Sequence, residues 1–156
     1  MAQIGSSDDG MYYNFWQDEK HVQGIWRKTT LESYKTKSPH WETVLDLDAL
    51  EAPKTDTAGT WVWHGSTLLD EGPMNEVKDR ALIKLSPGGS DADIFREFDL
   101  LKQEFIDPDE ASGGFELLLP TKCRVSYRSR NELLIGTDFE QIDPSVTDSL
   151  TDSGCT

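Results

Sequence analysis

The stretch Tyr12-Tyr13-Asn14-Phe15-Trp16-Gln17-Asp18, followed by Gly24-Ile25-Trp26-Arg27, decides the fold of this 156-residue chain. Aromatic and β-branched residues continue for the length of a strand, give way to a polar turn and resume as a second strand. The same pattern returns at residues 80–98 and again at 125–139. The sequence therefore predicts an all-β chain built from antiparallel hairpins.

The remaining elements are predicted from alternation and turn residues. Pro87-Gly88-Gly89-Ser90-Asp91 predicts a tight turn, because glycine tolerates positive φ and proline presets the turn. Helix evidence is thin, and the best candidate is residues 99–105. Strands are predicted at residues 11–16, 24–30, 41–47, 60–64, 80–86, 93–100, 115–119, 123–128 and 132–139.

Composition and charge exclude several classes of function. Five Trp and six Phe argue for a folded core although only 36% of the residues are hydrophobic. The net charge of −14 repels phosphate backbones and anionic lipids, so neither a nucleic acid nor a membrane is an expected partner. No apolar run approaches the ~20 residues of a membrane span, and the N-terminus does not resemble a secretory signal. Two cysteines, Cys123 and Cys155, are too few for a disulfide framework, which makes the cytoplasm the expected location.

The predicted strands fall into three groups, at about residues 11–50, 60–105 and 115–139. A period of ~40–70 residues with four strands in each unit is typical of β-propeller blades. A β-sandwich of about seven to nine strands fits the same periodicity. The spacing alone leaves both architectures open.

Three longer motifs carry a resemblance to a known family. The first is the opening hairpin with Trp-Glu-Thr-Val-Leu-Asp-Leu-Asp-Ala-Leu (41–50), the second is Leu-Ser-Pro-Gly-Gly-Ser-Asp-Ala (85–92) with Arg-Glu-Phe-Asp-Leu (96–100), and the third is Val-Ser-Tyr (125–127) with Leu-Leu-Ile-Gly-Thr-Asp-Phe (133–139). They resemble successive blades in the N-terminal β-propeller domain of the prolyl oligopeptidase family of serine peptidases. The resemblance covers residues 9–154, nearly the whole chain.

The resemblance implies a seven-bladed propeller that caps an α/β-hydrolase domain and admits only short proline-containing peptides. Only about two and a half blades would be present here, so the resemblance implies a fragment whose partners are the missing blades and the hydrolase domain. The expected organisation is a disordered or extended lead-in at 1–10, a partial propeller at 11–139 and an extended loop at 140–156. The alternative function is a stand-alone all-β module, a sandwich or small propeller, that binds a protein and has no enzymatic role.

Ser90 is the nearest approach to a hydrolase nucleophile. The nucleophile elbow has the pattern Gly-x-Ser-x-Gly and leads into a helix. Ala92 occupies the position of the last glycine, and the residues that follow resemble a strand. All three histidines also precede Ser90, whereas the hydrolase order is Ser, Asp, His. A hairpin turn is therefore the expected role of Ser90, and no catalytic residue is assigned.

No cofactor or metal site is predicted either. His21 and His40 fall in predicted turns and His64 at the end of a predicted strand, none at metal-ligand spacing. The segment 107–113 resembles a calcium loop only faintly, and glycine-rich phosphate loops do not occur. Packing between blades is the expected use of Trp16, Trp26, Trp41, Trp61 and Trp63. A partial propeller is expected to self-associate through unpartnered blade faces, such as those carrying Trp26, Leu45, Ile135 and Phe139, and through the edge strand at 132–139.

Overall fold

The computed structural model describes residues 4–6, 10–51, 59–72, 78–90, 92–108, 113–119 and 123–136. In these ranges it contains eleven strands and one single-turn helix, and all strand pairs are antiparallel. The predicted all-β class is confirmed. The elements are β1 (Ile4–Ser6), β2 (Met11–Trp16), β3 (Ile25–Thr30), α1 (Leu31–Tyr34), β4 (Glu42–Asp46), β5 (Trp61–Leu68), β6 (Arg80–Pro87), β7 (Asp93–Asp99), β8 (Glu104–Phe105), β9 (Glu116–Leu119), β10 (Arg124–Ser129) and β11 (Glu132–Gly136).

The first sheet is a meander of four strands in the order β1-β2-β3-β4. Its central hairpin pairs Phe15 with Trp26 and Asn14 with Arg27, so alternate residues face opposite sides of the sheet. A bulge in β4 places the extra residue Val44 opposite the step from Trp26 to Arg27. The predicted lead-in at 1–10 contains β1, which pairs with β2 as an edge strand that was not predicted.

The second sheet has the order β5-β6-β7, and both β8 and β9 pair with β7. The assignment of 115–119 to the third group is therefore wrong, because Phe95 pairs with Leu117 and Arg96 with Glu116. The strand that follows the loop at 107–113 returns to complete the second sheet. The third sheet is the hairpin of β10 and β11, with residues 130 and 131 in the turn.

The three sheets stack face to face with the second in the middle. One core lies between the first and second sheets and contains Trp26, Leu45, Trp61, Ile83 and Phe98. The other core lies between the second and third sheets and contains Leu82, Phe95, Cys123 and Val125. Residues of β6 alternate between the two cores, so both faces of the second sheet are buried.

The helix predicted at 99–105 is wrong. The Asp99 side chain accepts hydrogen bonds from the backbone N–H groups of Leu101 and Lys102, and this local bonding favours a turn over a helix. Gln103 then adopts a left-handed φ of 59°, and the chain returns as β8 to pair with β7. The one helix, α1, was not predicted, and Thr30 caps its N-terminus by accepting a hydrogen bond from Ser33 N–H.

Two of the residues expected on unpartnered faces are instead buried. Trp26 and Leu45 lie in the core between the first two sheets, because the inward face of β3 is covered by the second sheet. Ile135 is half-buried against the second core. Phe139, the loop at 140–156 and Cys155 lie outside the described residues. None of the helices in the described ranges is long and apolar enough to cross a membrane.

Candidate functional site

A cavity of about 470 Å³ opens on the face of the second sheet that looks toward the third. It is lined by His64, Lys84, Ser90, Asp93, Cys123 and Arg124, which come from β5, β6, β7, the turn after β6 and the start of β10. Cys123 is buried in the second core. The cavity is thus a polar extension of an apolar inter-sheet core.

Asp93 is the buried centre of this cavity, with 3% of its side chain exposed. Its Oδ1 lies 2.6 Å from His64 Nδ1, and its Oδ2 lies 2.8 Å from Lys84 Nζ. A buried carboxylate is tolerated when charged or polar partners satisfy both oxygens, and this condition is met here.

A β-bulge brings His64 into this group. The register of β5 against β6 shifts between Trp63, which pairs with Leu85, and Gly65, which pairs with Lys84. The extra residue, His64, is thereby turned toward Asp93. The strand also continues to Leu68, so the prediction that His64 ends a strand is wrong.

Ser90 lies in the turn after β6, where the sequence places it. Its N–H donates to Pro87 O at 3.2 Å, and its carbonyl accepts a hydrogen bond from Ser86 Oγ at 2.6 Å. Ser90 Oγ itself contacts Ala92 O at 3.5 Å. In the part of the chain that the structure describes, no hydrogen bond joins Ser90 to His64, although both line one cavity.

The sequence does not predict that His64, Lys84 and Asp93 lie together. His64 and Asp93 are 29 residues apart and belong to strands separated by β6. Only the register of three strands places them side by side, and no spacing in the sequence encodes it. The one signal in the sequence is an acid, Asp93, at the first position of a predicted strand.

The other two histidines hold turns together. His21 Nδ1 lies 2.9 Å from Asp18 Oδ1 in the β2–β3 turn. The backbone N–H of His21 and the indole N–H of Trp16 also bond the Asp18 carboxylate, which holds its pKa far below the ordinary value. His40 uses its backbone, because its carbonyl accepts from Thr29 Oγ1 at 2.6 Å.

The tryptophans divide between the two faces of the first sheet. Trp26, Trp61 and Trp63 pack in or against the first core, with the rings of Trp26 and Trp63 5.5 Å apart. Trp16 and Trp41 instead enclose the Arg27 guanidinium, which lies 4.4 Å from each ring centroid. Packing is thus the observed use of the first three.

The loop at 107–113 shows no sign of a metal site within its described part. Its described residues are Asp107, Pro108 and Gly113, and Gly114 N–H closes the loop on Asp107 O at 3.2 Å. Across the described residues, no group of three or more His, Cys, Asp or Glu side chains could hold a metal ion.

Two groups of hydrogen bonds and ion pairs attach the third sheet to the second. Glu97 has 0% exposure and accepts hydrogen bonds from Tyr127 Oη at 2.8 Å and from Phe115 N–H at 3.2 Å, with Arg80 Nη1 at 3.4 Å. Burial, followed by the negative charge of Glu97, raises the pKa of Tyr127 well above its ordinary value.

The second group of ion pairs lies at the turn of the third hairpin, β10–β11. Arg130 forms ion pairs with Asp79 at 2.9 Å and with Glu71 at 2.5 Å. Burial raises the pKa of Asp79, but hydrogen bonds and charge from Arg130 outweigh it and leave the pKa below its ordinary value. The same two carboxylates raise the pKa of Arg130.

Sequence and structure comparisons identify relatives of the chain. It is 50% identical over 98 residues to an uncharacterized peptidase of Sinorhizobium fredii, covering 63% of this chain and 12% of that protein. It is 37% identical over 116 residues to an uncharacterized peptidase of Rickettsia prowazekii, covering 73% of this chain and 14% of that protein. A solved structure of a post-proline cleaving enzyme from Rickettsia typhi matches 81% of this chain with a TM-score of 0.64 and 30% identity. The chain is related to the prolyl oligopeptidase family.

The resemblance stated from the sequence is therefore confirmed at the level of the family. No protein-family model matches the sequence. The chain spans only a small part of each relative: 12% and 14% of the two curated proteins and 17% of the solved chain.

Proposed function

We propose that the chain is a propeller segment of a prolyl oligopeptidase-like serine peptidase and has no catalytic activity of its own. In the full-length protein, the propeller would cap the active site of an α/β-hydrolase domain. It would admit short proline-containing peptides and exclude bulky chains, and it would limit the access of water to the reaction. The remaining blades and the hydrolase domain are the partners of the segment.

The observation that carries the proposal is the central sheet with two buried faces. In a two-layer β-sandwich, each sheet packs one face on the core and exposes the other. Here Ala81, Ile83 and Leu85 face the first core, while Leu82 faces the second. A sheet packed on both faces is expected of a blade between two neighbours.

The strand order supports the same proposal. Apart from the β7–β9 pair, neighbouring strands in each sheet are consecutive in the chain. The strands β1, β5 and β10 therefore correspond as first strands, and β2, β6 and β11 as second strands. β4 holds the fourth position of the first unit, and β8 and β9, which both pair with β7, share the fourth position of the second. Two units with four strand positions each and the first hairpin of a third correspond to about two and a half blades.

The absence of activity is tested on the purified chain. We expect no hydrolysis of a proline-containing chromogenic peptide and no labelling by a serine-reactive fluorophosphonate probe, because a nucleophile elbow does not occur in the sequence. Stoichiometric labelling of Ser90, lost in Ser90→Ala, would contradict the proposal.

The gating role is tested in the Rickettsia typhi enzyme. A variant lacking the segment that matches this chain is compared with the intact enzyme on a short proline-containing peptide and on unfolded casein. Fluorophosphonate labelling establishes that the catalytic domain remains folded. We expect casein cleavage to rise relative to peptide cleavage. An unchanged ratio in a fully labelled variant would favour the alternative, a module that binds a protein without gating.

A further inference from the structure

We infer that the cavity beside Asp93 binds a carboxylate group. The inference rests on the hydrogen-bond donors that line the cavity and on their charge. It does not depend on whether the chain is part of a propeller.

The lining has more donors than acceptors. Both oxygens of Asp93 are engaged, one by His64 at 2.6 Å and the other by Lys84 at 2.8 Å. Lys84 Nζ carries three N–H donors and uses one on Asp93, while the guanidinium of Arg124 carries five. A cavity with surplus donors selects a ligand rich in acceptors.

The charge of the lining points to an anion with one negative charge. Lys84 and Arg124 are two cations against the single carboxylate of Asp93, which leaves one positive charge in excess. The chain as a whole carries −14, so its field repels a dianion about twice as strongly as a monoanion. A carboxylate also matches the planar fork of arginine through two parallel hydrogen bonds.

The cavity is large enough for a carboxylate together with the few atoms to which it is bonded. A volume of about 470 Å³ holds the end of a peptide or an acidic side chain. These two sources present the same chemical group, and the peptide arms of the experiment separate them.

The experiment is an NMR titration of the isotopically labelled full chain with sodium acetate, with sodium chloride holding the ionic strength constant. We expect saturable shifts of signals from the cavity lining. Arg124→Gln should weaken acetate binding about tenfold, because one charged bidentate partner is lost. Arg124 is exposed, so its replacement leaves both cores intact.

Arg128→Gln is the matched control. Arg128 lies on the same hairpin and is exposed, and it pairs with Glu132 at 3.6 Å outside the cavity. We expect it to bind acetate as the unchanged chain does. A tripeptide with a terminal carboxylate, its amide and N-acetylaspartate amide then identify the source of the group.

Tighter binding of either carboxylate probe than of the amidated tripeptide supports the inference. A parallel titration with sodium phosphate tests whether the site prefers a carboxylate. Three results would overturn the inference: shifts with acetate that equal those with chloride, acetate binding unchanged in Arg124→Gln, or phosphate binding more tightly than acetate.

Discussion

Glu97 is a buried carboxylate that links the second sheet to the third. Its carboxylate has 0% exposure and joins Arg80, Phe115 and Tyr127 from three parts of the chain. Glu97→Gln should lower the free energy of unfolding by about 3 kcal/mol, because breaking a buried ion pair leaves an uncompensated charge. Urea denaturation measures the loss.

The control for Glu97 is an exposed carboxylate on the same sheet. Glu116 lies 3.0 Å from Arg96, but 45% of its side chain is exposed. Glu116→Gln should change the free energy of unfolding by less than about 1 kcal/mol. Equal losses of unfolding free energy in the two variants would mean that the contacts of Glu97 stabilise the fold no more than a surface ion pair does.

Gly24 is the residue that fixes the first hairpin against the first core. Its φ is +102°, and a Cβ placed there would lie 2.3 Å from Phe15 Cζ. Phe15 stacks on Trp63 at 5.0 Å and therefore has little room to move. Gly24→Ala should cost about 2–4 kcal/mol through backbone strain and overpacking.

A substitution at Gly10 separates the cost of backbone strain from the cost of overpacking. Its φ is +74°, and a Cβ there would meet nothing within 4 Å. Gly10→Ala should cost only about 1 kcal/mol, because backbone conformation alone is penalised. Thermal unfolding compares the two variants, and an equal cost would show that the contact with Phe15 is unimportant.

At the scale of elements, the third hairpin responds to pH through Asp79. Its folded-state pKa is lowered, so Asp79 stabilises the hairpin fully above its unfolded pKa of about 3.9 and loses that effect as the pH falls through the folded value. Asp79→Asn should therefore be less stable than the unchanged chain at pH 7, and the difference should shrink below about pH 4. Urea denaturation from pH 3 to 7 tests this. A difference that stays constant across that range would contradict it.

How much of the fold the sequence predicts depends on how local each interaction is. The hairpins of β2–β3 and β6–β7 were predicted, because alternation and turn residues encode them within about 20 residues. The second half of β5 was missed, since Gly65-Ser66-Thr67 has no apolar alternation and is held by pairing with β6. The partner of β9 and the group around Asp93 were missed because strand register creates both.

At the scale of the whole molecule, the chain should self-associate as salt rises. The surfaces differ from those expected from the sequence, because Trp26 and Leu45 are buried. The exposed apolar side chains include Trp16 and Leu134, with 40% and 54% exposure, and among the described strands only β10 pairs with β11. The net charge of −14 opposes contact between copies, and 0.1 M salt screens it beyond about 10 Å.

Analytical ultracentrifugation across a salt series measures this association. Leu134→Lys should weaken it, since the substitution places a charge on the exposed face of β11. A monomer at every salt concentration would contradict the prediction and would favour a module with a self-sufficient core.

The meander order of the sheets has a consequence for synthesis on the ribosome. Every described strand pair except β7–β9 joins strands that are consecutive in the chain. The first sheet can therefore form as soon as β4 has emerged, and it then offers an apolar surface on which the second sheet assembles. The second sheet waits for β9, and until the third hairpin arrives its outer face, with the acidic Glu97, meets water. A pause in translation between β9 and β10 would leave this face open to chaperones, whereas a pause between β4 and β5 would expose the first sheet.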